Sequence, residues 1–217
     1  MISLVRYVAA DTLRAERWAA PVLLFLAATA SFNAGGGTAL ACYGFTSAVL
    51  LPVAIWLTIA VGNGEDPVQR AITVVNAGGA LRVQLANLLT AAAVCAALSV
   101  VSLMWAPLAG NPGGWGSVLA GAVAHLLTTI AGVAFGAVLS RPVLDRLSWV
   151  VLGATVVVLV ELAAPVPPLR PILVLFGQDG RTGAAGLGGP LLLVAAETVA
   201  LAAVLVTVAH RIGRQRS

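Results

Sequence analysis

The sequence predicts an all-α polytopic membrane protein with six transmembrane helices, an N-terminal interfacial amphipathic helix and a re-entrant or interfacial outer segment between spans five and six. Three observations carry this. Hydrophobic residues make up 60% of the 217-residue chain and charged ones only 9%, too little polar material to cover the surface of a soluble domain of this length. Long uncharged apolar blocks alternate with short connections, each block approaching the roughly 20 residues that a membrane-crossing helix needs. The basic residues are all arginines and lie mostly on one side of that alternation: Arg6, Arg14, Arg17, Arg70, Arg82, Arg141, Arg146, Arg211, Arg214 and Arg216 fall at the start, in the even-numbered connections and in the tail. Only Arg170 and Arg181 fall in odd-numbered ones. Because basic residues resist translocation, both termini are expected on the cytoplasmic side of the cell's inner membrane, and the span number is even.

Within hydrocarbon every backbone polar group must be satisfied inside its own segment, so the expected fold is a single helical transmembrane domain over 1–217. The spans read as about 18–32, 39–62, 83–106, 117–139, 147–162 and 189–209. The small residues Ala27, Ala28, Ala30 and Ser31 give the first block some look of a secretory signal. The patterned stretch before it and the five spans after it favour a retained helix. Cys42 and Cys95 sit inside spans two and three, where a thiol behaves as a small apolar group.

Residues 2–17 read as a helix in the interface plane. At 100° per residue Ile2, Leu4, Val5, Val8, Ala9 and Leu13 share one arc, with Arg6, Arg14 and Arg17 opposite and Trp18 as an aromatic anchor. Glu16 falls on the apolar side and breaks the pattern.

The connection 63–82 carries the most local signal of any loop. Asp66 is a helix cap, Pro67 suits the first helical position, and Gly78 and Gly79 supply a stop. Between them Val68, Ala71, Ile72 and Val75 follow the i, i+3, i+4, i+7 spacing of one face, and Gln69, Arg70, Thr73 and Asn76 occupy the other. A short amphipathic helix is expected, either sealing the bilayer surface or docking on another protein. The next cytoplasmic connection holds Arg141, Pro142, Asp145 and Arg146 in a tight turn. On the outer side, Pro165, Pro167, Pro168 and Pro171 stiffen the start of a long loop, the run 172–176 is too apolar to sit free in water, and 177–189 reads as a flexible return.

Several chemistries are excluded. With no lysine in the chain there is no GxxxxGK[ST] phosphate loop and no lysine Schiff base. Two histidines, His125 and His210, make no HExxH site, and no GxSxG elbow occurs. The chain itself is therefore expected to be neither an enzyme nor a holder of metal or cofactor, and the arginines point to lipid headgroups rather than nucleic acid. Three ionisable residues do enter the apolar blocks: His125, Glu161 and Glu197. Such groups are costly in lipid and face a cavity or a partner, and their similar depth predicts one polar cluster in the outer half. Gly132 and Gly136 form a small-xxx-small pair that lets helices approach closely.

The segment Glu65-Asp66-Pro67-Val68-Gln69-Arg70, followed by Asn76-Ala77-Gly78-Gly79 and Arg82, is similar to the loop between spans two and three of type 2 ATP-binding-cassette exporter permeases. The arrangement of spans, interfacial helix and outer apolar segment resembles the same family over nearly the whole chain. The resemblance implies a permease dimer, or a pair with a similar permease, bound to separate ATPase subunits that hold ATP and Mg. It makes Asp66, Val68, Gln69, Arg70, Ile72, Thr73, Val75 and Asn76 a coupling helix seated in the ATPase, with the N-terminal helix beside it. It makes 165–176 the outer re-entrant helices that cap the path. The alternative expectation is a secondary, ion-coupled transporter, because three spans starting inside and three starting outside fit inverted three-helix repeats. An intramembrane enzyme lacks any defensible acid/base or nucleophile constellation.

Overall fold

Glycine sets a close approach between two helices. Gly121, Gly132 and Gly136 lie on one side of α6 (Trp115–Leu139), and a Cβ on each would stand 2.5 Å from Tyr43 Cδ2, Ala54 Cβ and Thr58 Cβ of α3 (Ala39–Gly62). Only hydrogen fits there, so α3 and α6 pack backbone to backbone and form the buried centre. The expected Gly132/Gly136 contact is thus present, and Gly121 extends it along the helix.

The structure, a computed structural model, describes residues 1–111, 113–141, 143–144, 146–164, 168–177 and 184–215. Around the central pair lie α1 (Ile2–Arg14), α2 (Ala19–Ala34), α4 (Pro67–Ala77), α5 (Ala80–Leu108), α7 (Leu147–Ala163), α8 (Leu169–Gly177) and α9 (Gly188–Gln215). Among the described residues the regular structure is all helical. Among the described residues four helices are long and apolar enough to cross a membrane: α3, α5, α6 and the 188–213 portion of α9. The chain is a membrane-embedded helical protein. The other two expected spans, α2 and α7, are apolar but shorter, at 16 and 17 residues, or about 25 Å against a hydrocarbon core of about 30 Å.

Each long helix buries what its sequence supplies. Thr38 caps α3 by accepting from the Ala41 N–H at 3.3 Å. Phe25 of α2, Leu50, Val53 and Leu57 of α3, and Cys95 and Leu98 of α5 make one apolar cluster. Leu191 and Val194 of α9 join Ala120, Ala124 and Leu127 of α6 in another. Both cysteines are free and buried. Asn111, just past α5, closes the loops at one end by donating to Asn33 Oδ1 at 2.9 Å and to its carbonyl at 3.2 Å.

Three local expectations change. The N-terminal helix ends at Arg14 instead of running on to Arg17, and Glu16, the residue that broke its pattern, takes φ +54° in the turn to α2. Part of its apolar face lies on protein: Val8, Leu4 and Val5 pack with Val61 of α3, Ala86 of α5 and Val133 of α6. The outer apolar run is a short helix, α8, whose Ile172 and Phe176 enter the cluster of Leu40, Tyr43 and Ala120. Gly44 admits it, since a Cβ there would be 3.3 Å from Phe176 Cβ. In the supposed flexible return, Ala184–Leu187 form a 3-10 turn and α9 starts at Gly188. Pro142, Asp145, Pro165, Pro167, Arg181 and Arg216 lie outside the described residues. α4 and α8 therefore mark opposite ends of α3.

Candidate functional site

At the α4 end, the cap and stop of the amphipathic segment form as its sequence requires. Asp66 Oδ1 accepts from the Val68 N–H at 2.9 Å. Gly78 ends α4 at φ +75°, and Gly79 continues at φ +142°, both conformations that glycine alone takes without strain. Arg82, at the start of α5, donates from Nη1 to the last carbonyl of α4, Ala77 O, at 3.1 Å. Both ends of this eleven-residue helix are therefore pinned.

Its polar side is turned toward the protein. Arg70 Nη1 donates to Gly62 O, the last residue of α3, at 3.0 Å. Burial lowers the pKa of this guanidinium, Glu65 raises it, and Arg141 lowers it further. Thr73 Oγ1 lies 2.9 Å from Glu65 Oε1, and Gln69 Nε2 donates to Tyr7 Oη of α1 at 2.7 Å. Arg17 Nη1 reaches Asn63 O at 3.3 Å, and Asn63 Oδ1 accepts from the Arg141 N–H at 2.9 Å. α1, α4 and the ends of α3 and α6 are thereby tied into one polar mesh.

The apolar side points away from the protein. Val68, Ile72 and Val75 are 70%, 58% and 79% exposed, a ridge left largely uncovered by the described residues. Beside it an open cleft of about 810 Å³ separates α1 from α4, lined by Leu4, Tyr7, Ile72, Thr73 and Asn76 among others. The eight residues singled out from the sequence thus divide by role. Asp66 caps, Gln69, Arg70 and Thr73 anchor inward, Val68, Ile72 and Val75 form the ridge, and Asn76 lines the cleft.

Comparison of the chain with known protein families, curated proteins and solved structures finds no match.

The three intramembrane ionisable residues do not come together. His125 of α6 is fully buried at the centre, with Nε2 3.2 Å from Thr46 Oγ1 and Nδ1 2.8 Å from Gly121 O. Ser102 Oγ of α5 donates to Thr46 Oγ1 at 2.8 Å. If Nδ1–H donates to the Gly121 carbonyl, Nε2 is left as an acceptor for Thr46, whose single hydroxyl proton is shared between it and Cys42 O at 3.0 Å, and Ser102, Thr46 and His125 line up across α5, α3 and α6. The Tyr43 ring meets the imidazole edge to face at 6.3 Å, and its hydroxyl donates to Leu103 O at 3.1 Å.

Glu161 is buried elsewhere, under α8, where Oε2 accepts from the Leu169 N–H at 3.2 Å. Its Oε1 has no hydrogen-bond partner among the described residues. Glu197 is exposed on α9, one position from the packed Thr198. The predicted single cluster is therefore wrong: similar depth along three helices says nothing about rotation about their axes, and packing sets that rotation. Thr46 and Ser102 were missed because hydroxyls in apolar blocks usually bond their own helix, as Thr90 and Ser99 do here. No group of three or more His, Cys, Asp or Glu among the described residues is placed to hold a metal.

Proposed function

We propose that the chain is the permease subunit of an ATP-driven exporter of the type 2 ATP-binding-cassette kind, working as a dimer, or paired with a similar permease, with separate ATPase subunits. In this reading it makes six spans of the inner membrane, α2 and α7 included, with both termini and α4 in the cytoplasm. The observation that supports it most is the inverted seating of α4. An amphipathic helix that closed the chain's own core would turn Val68, Ile72 and Val75 inward, whereas an outward ridge is what a docked subunit or the bilayer surface covers. Here the polar side is bonded to α3 and α1, and the apolar ridge stands free.

Such a helix is built to receive a load. A subunit that grips the ridge moves α3 through the Arg70 to Gly62 bond, and α3 carries α6 with it because their backbones interlock. ATP-driven closure of two ATPases would then tilt rigid helices about the buried centre. The α3 and α7 flank, open as an apolar groove of about 530 Å³ along Ile55, Trp56, Val151 and Val158, is where a second permease would complete the wall.

The ion-coupled alternative requires α7 to match α3 under an inverted repeat, second span to fifth. Their environments differ: α3 is buried along most of its length, whereas α7 buries little beyond Val150 and Glu161. That asymmetry weighs against it. Purification in mild detergent decides between the two: an ATPase subunit recovered in equal number with the permease, and lost on Val68→Asp/Ile72→Asp, is the expected result. Transport by the chain alone would overturn the proposal.

A further inference from the structure

A small polar cavity lies where α4 meets the ends of α3, α5, α6 and α9. It holds about 20 Å³, room for one occupant the size of a water molecule. Arg70 of α4, Arg141 just past α6, and Gln84 and Asn87 of α5 line it, and no carboxylate does so among the described residues.

Hydrogen-bond donors are in excess here. A guanidinium carries several N–H groups in a fixed fork, yet Arg70 places one on Gly62 O and among the described residues the rest find no acceptor. Arg141 engages only its backbone N–H, with Asn63 Oδ1. Gln84 turns Oε1 to His210 Nδ1 at 3.4 Å, which leaves its amide N–H groups free, and Asn87 has no side-chain partner among the described residues. On the far wall Thr58 and Ser140 give their hydroxyl protons to Ala54 O and Ala137 O, so an occupant is held from the arginine and α5 side. Glu65, the acid that bears on Arg70, is itself engaged by Thr73 Oγ1. Two positive charges thus share a cavity without a counter-charge in its walls, and like charges repel.

We infer that this cavity is a binding site for one small monatomic anion, chloride, held between the guanidinium groups of Arg70 and Arg141 with Asn87 alongside. Charge and size select it together. Two cations with unspent N–H donors call for an anion, and a volume of one water excludes a tetrahedral oxyanion such as phosphate or sulfate. A water in the same place would accept from the donors and leave the two charges opposed. The bound anion joins Arg70 of α4 to α5 and to the end of α6, so chloride strengthens the seating of α4. The site needs this chain alone, and failure to recover an ATPase partner leaves it standing.

Chloride NMR of the full chain in mild detergent, with gluconate holding the ionic strength constant, tests it. The native chain should broaden the chloride line, bromide should reverse the broadening and sulfate should not. Arg70→Gln and Arg141→Gln should each weaken the apparent Kd by roughly 10-fold or more, the worth of one charged hydrogen-bonding partner. Thermal unfolding supplies a second readout: the native midpoint should be higher in chloride than in gluconate. Asn87→Asp puts a carboxylate where the anion sits, so it should abolish the broadening and make the midpoint independent of chloride, and it decides the matter if the glutamine variants do not fold. Absence of broadening by the native chain, equal competition by sulfate, or a chloride-dependent midpoint that survives Asn87→Asp would overturn the site.

Discussion

Gly136 of α6 lies against Thr58 of α3 so closely that a Cβ on the glycine would stand 2.5 Å from the threonine Cβ and 3.0 Å from Ile55 O. The second neighbour is backbone and cannot rotate away. Gly136→Val should therefore force the central pair apart and cost about 1–3 kcal/mol, the range for overpacking a tight interior. Thermal unfolding in detergent measures this. Gly188→Ala, whose Cβ would meet nothing within 4 Å, should leave the midpoint unchanged. Equal midpoints for both variants would show that the α3 and α6 approach is looser than described.

The Ser102, Thr46 and His125 chain makes a second prediction. Thr46→Val keeps the shape but leaves the imidazole Nε2 and the Ser102 hydroxyl without their shared partner. Interhelical hydrogen bonds inside membrane proteins average about 0.6 kcal/mol, with a maximum near 1.7. A loss of about 1 kcal/mol is expected. A double-mutant cycle of Thr46→Val with Ser102→Ala should show coupling, since the two hydroxyls touch. Strict additivity would mean that the hydroxyls act independently.

Glu161 holds the first turn of α8 through the Leu169 N–H while its other oxygen is unpartnered among the described residues. Glu161→Gln retains an acceptor for that N–H and replaces a buried ionisable group with a neutral amide, and an ionised carboxylate costs more to bury than an amide. Stability at least equal to the native chain is expected. Glu161→Ala removes the acceptor and should cost about 1 kcal/mol, as other lost caps do. Hydrogen exchange confined to the α8 amides reads the difference: faster in Glu161→Ala and unchanged in Glu161→Gln.

What was legible in the sequence followed from one-dimensional signals. Arginine placement and apolar block length gave the membrane class and four helices of sufficient length, and Asp66, Gly78 and Gly79 gave the bounds of α4 because caps and positive-φ stops are local chemistry. Rotation about a helix axis is not local. Ile72 and Arg70 were assigned correctly to opposite faces of α4, yet nothing in the spacing said which face meets the protein. Only Gly62 O and Tyr7, distant in sequence, decide that. Glu197 was misplaced for the same reason, whereas α2 and α7 lie close to their expected bounds of about 18–32 and 147–162.

The last prediction separates the two faces of α4. Arg70→Glu replaces the donor to Gly62 O with a carboxylate close to Glu65, so it should loosen α4 from α3 while leaving the outward ridge intact. Ile72→Pro instead removes an N–H within α4 and breaks the helix that presents the ridge, an interior proline costing about 3 kcal/mol. Both variants should still insert in the membrane, because neither touches a long apolar helix. In the proposed exporter Arg70→Glu keeps the ATPase bound but abolishes ATP-dependent transport, since the load no longer reaches α3, whereas Ile72→Pro loses the ATPase itself. Transport and co-purification measured together on the same preparations distinguish the two. Native transport rates in both variants would remove α4 from the path of force.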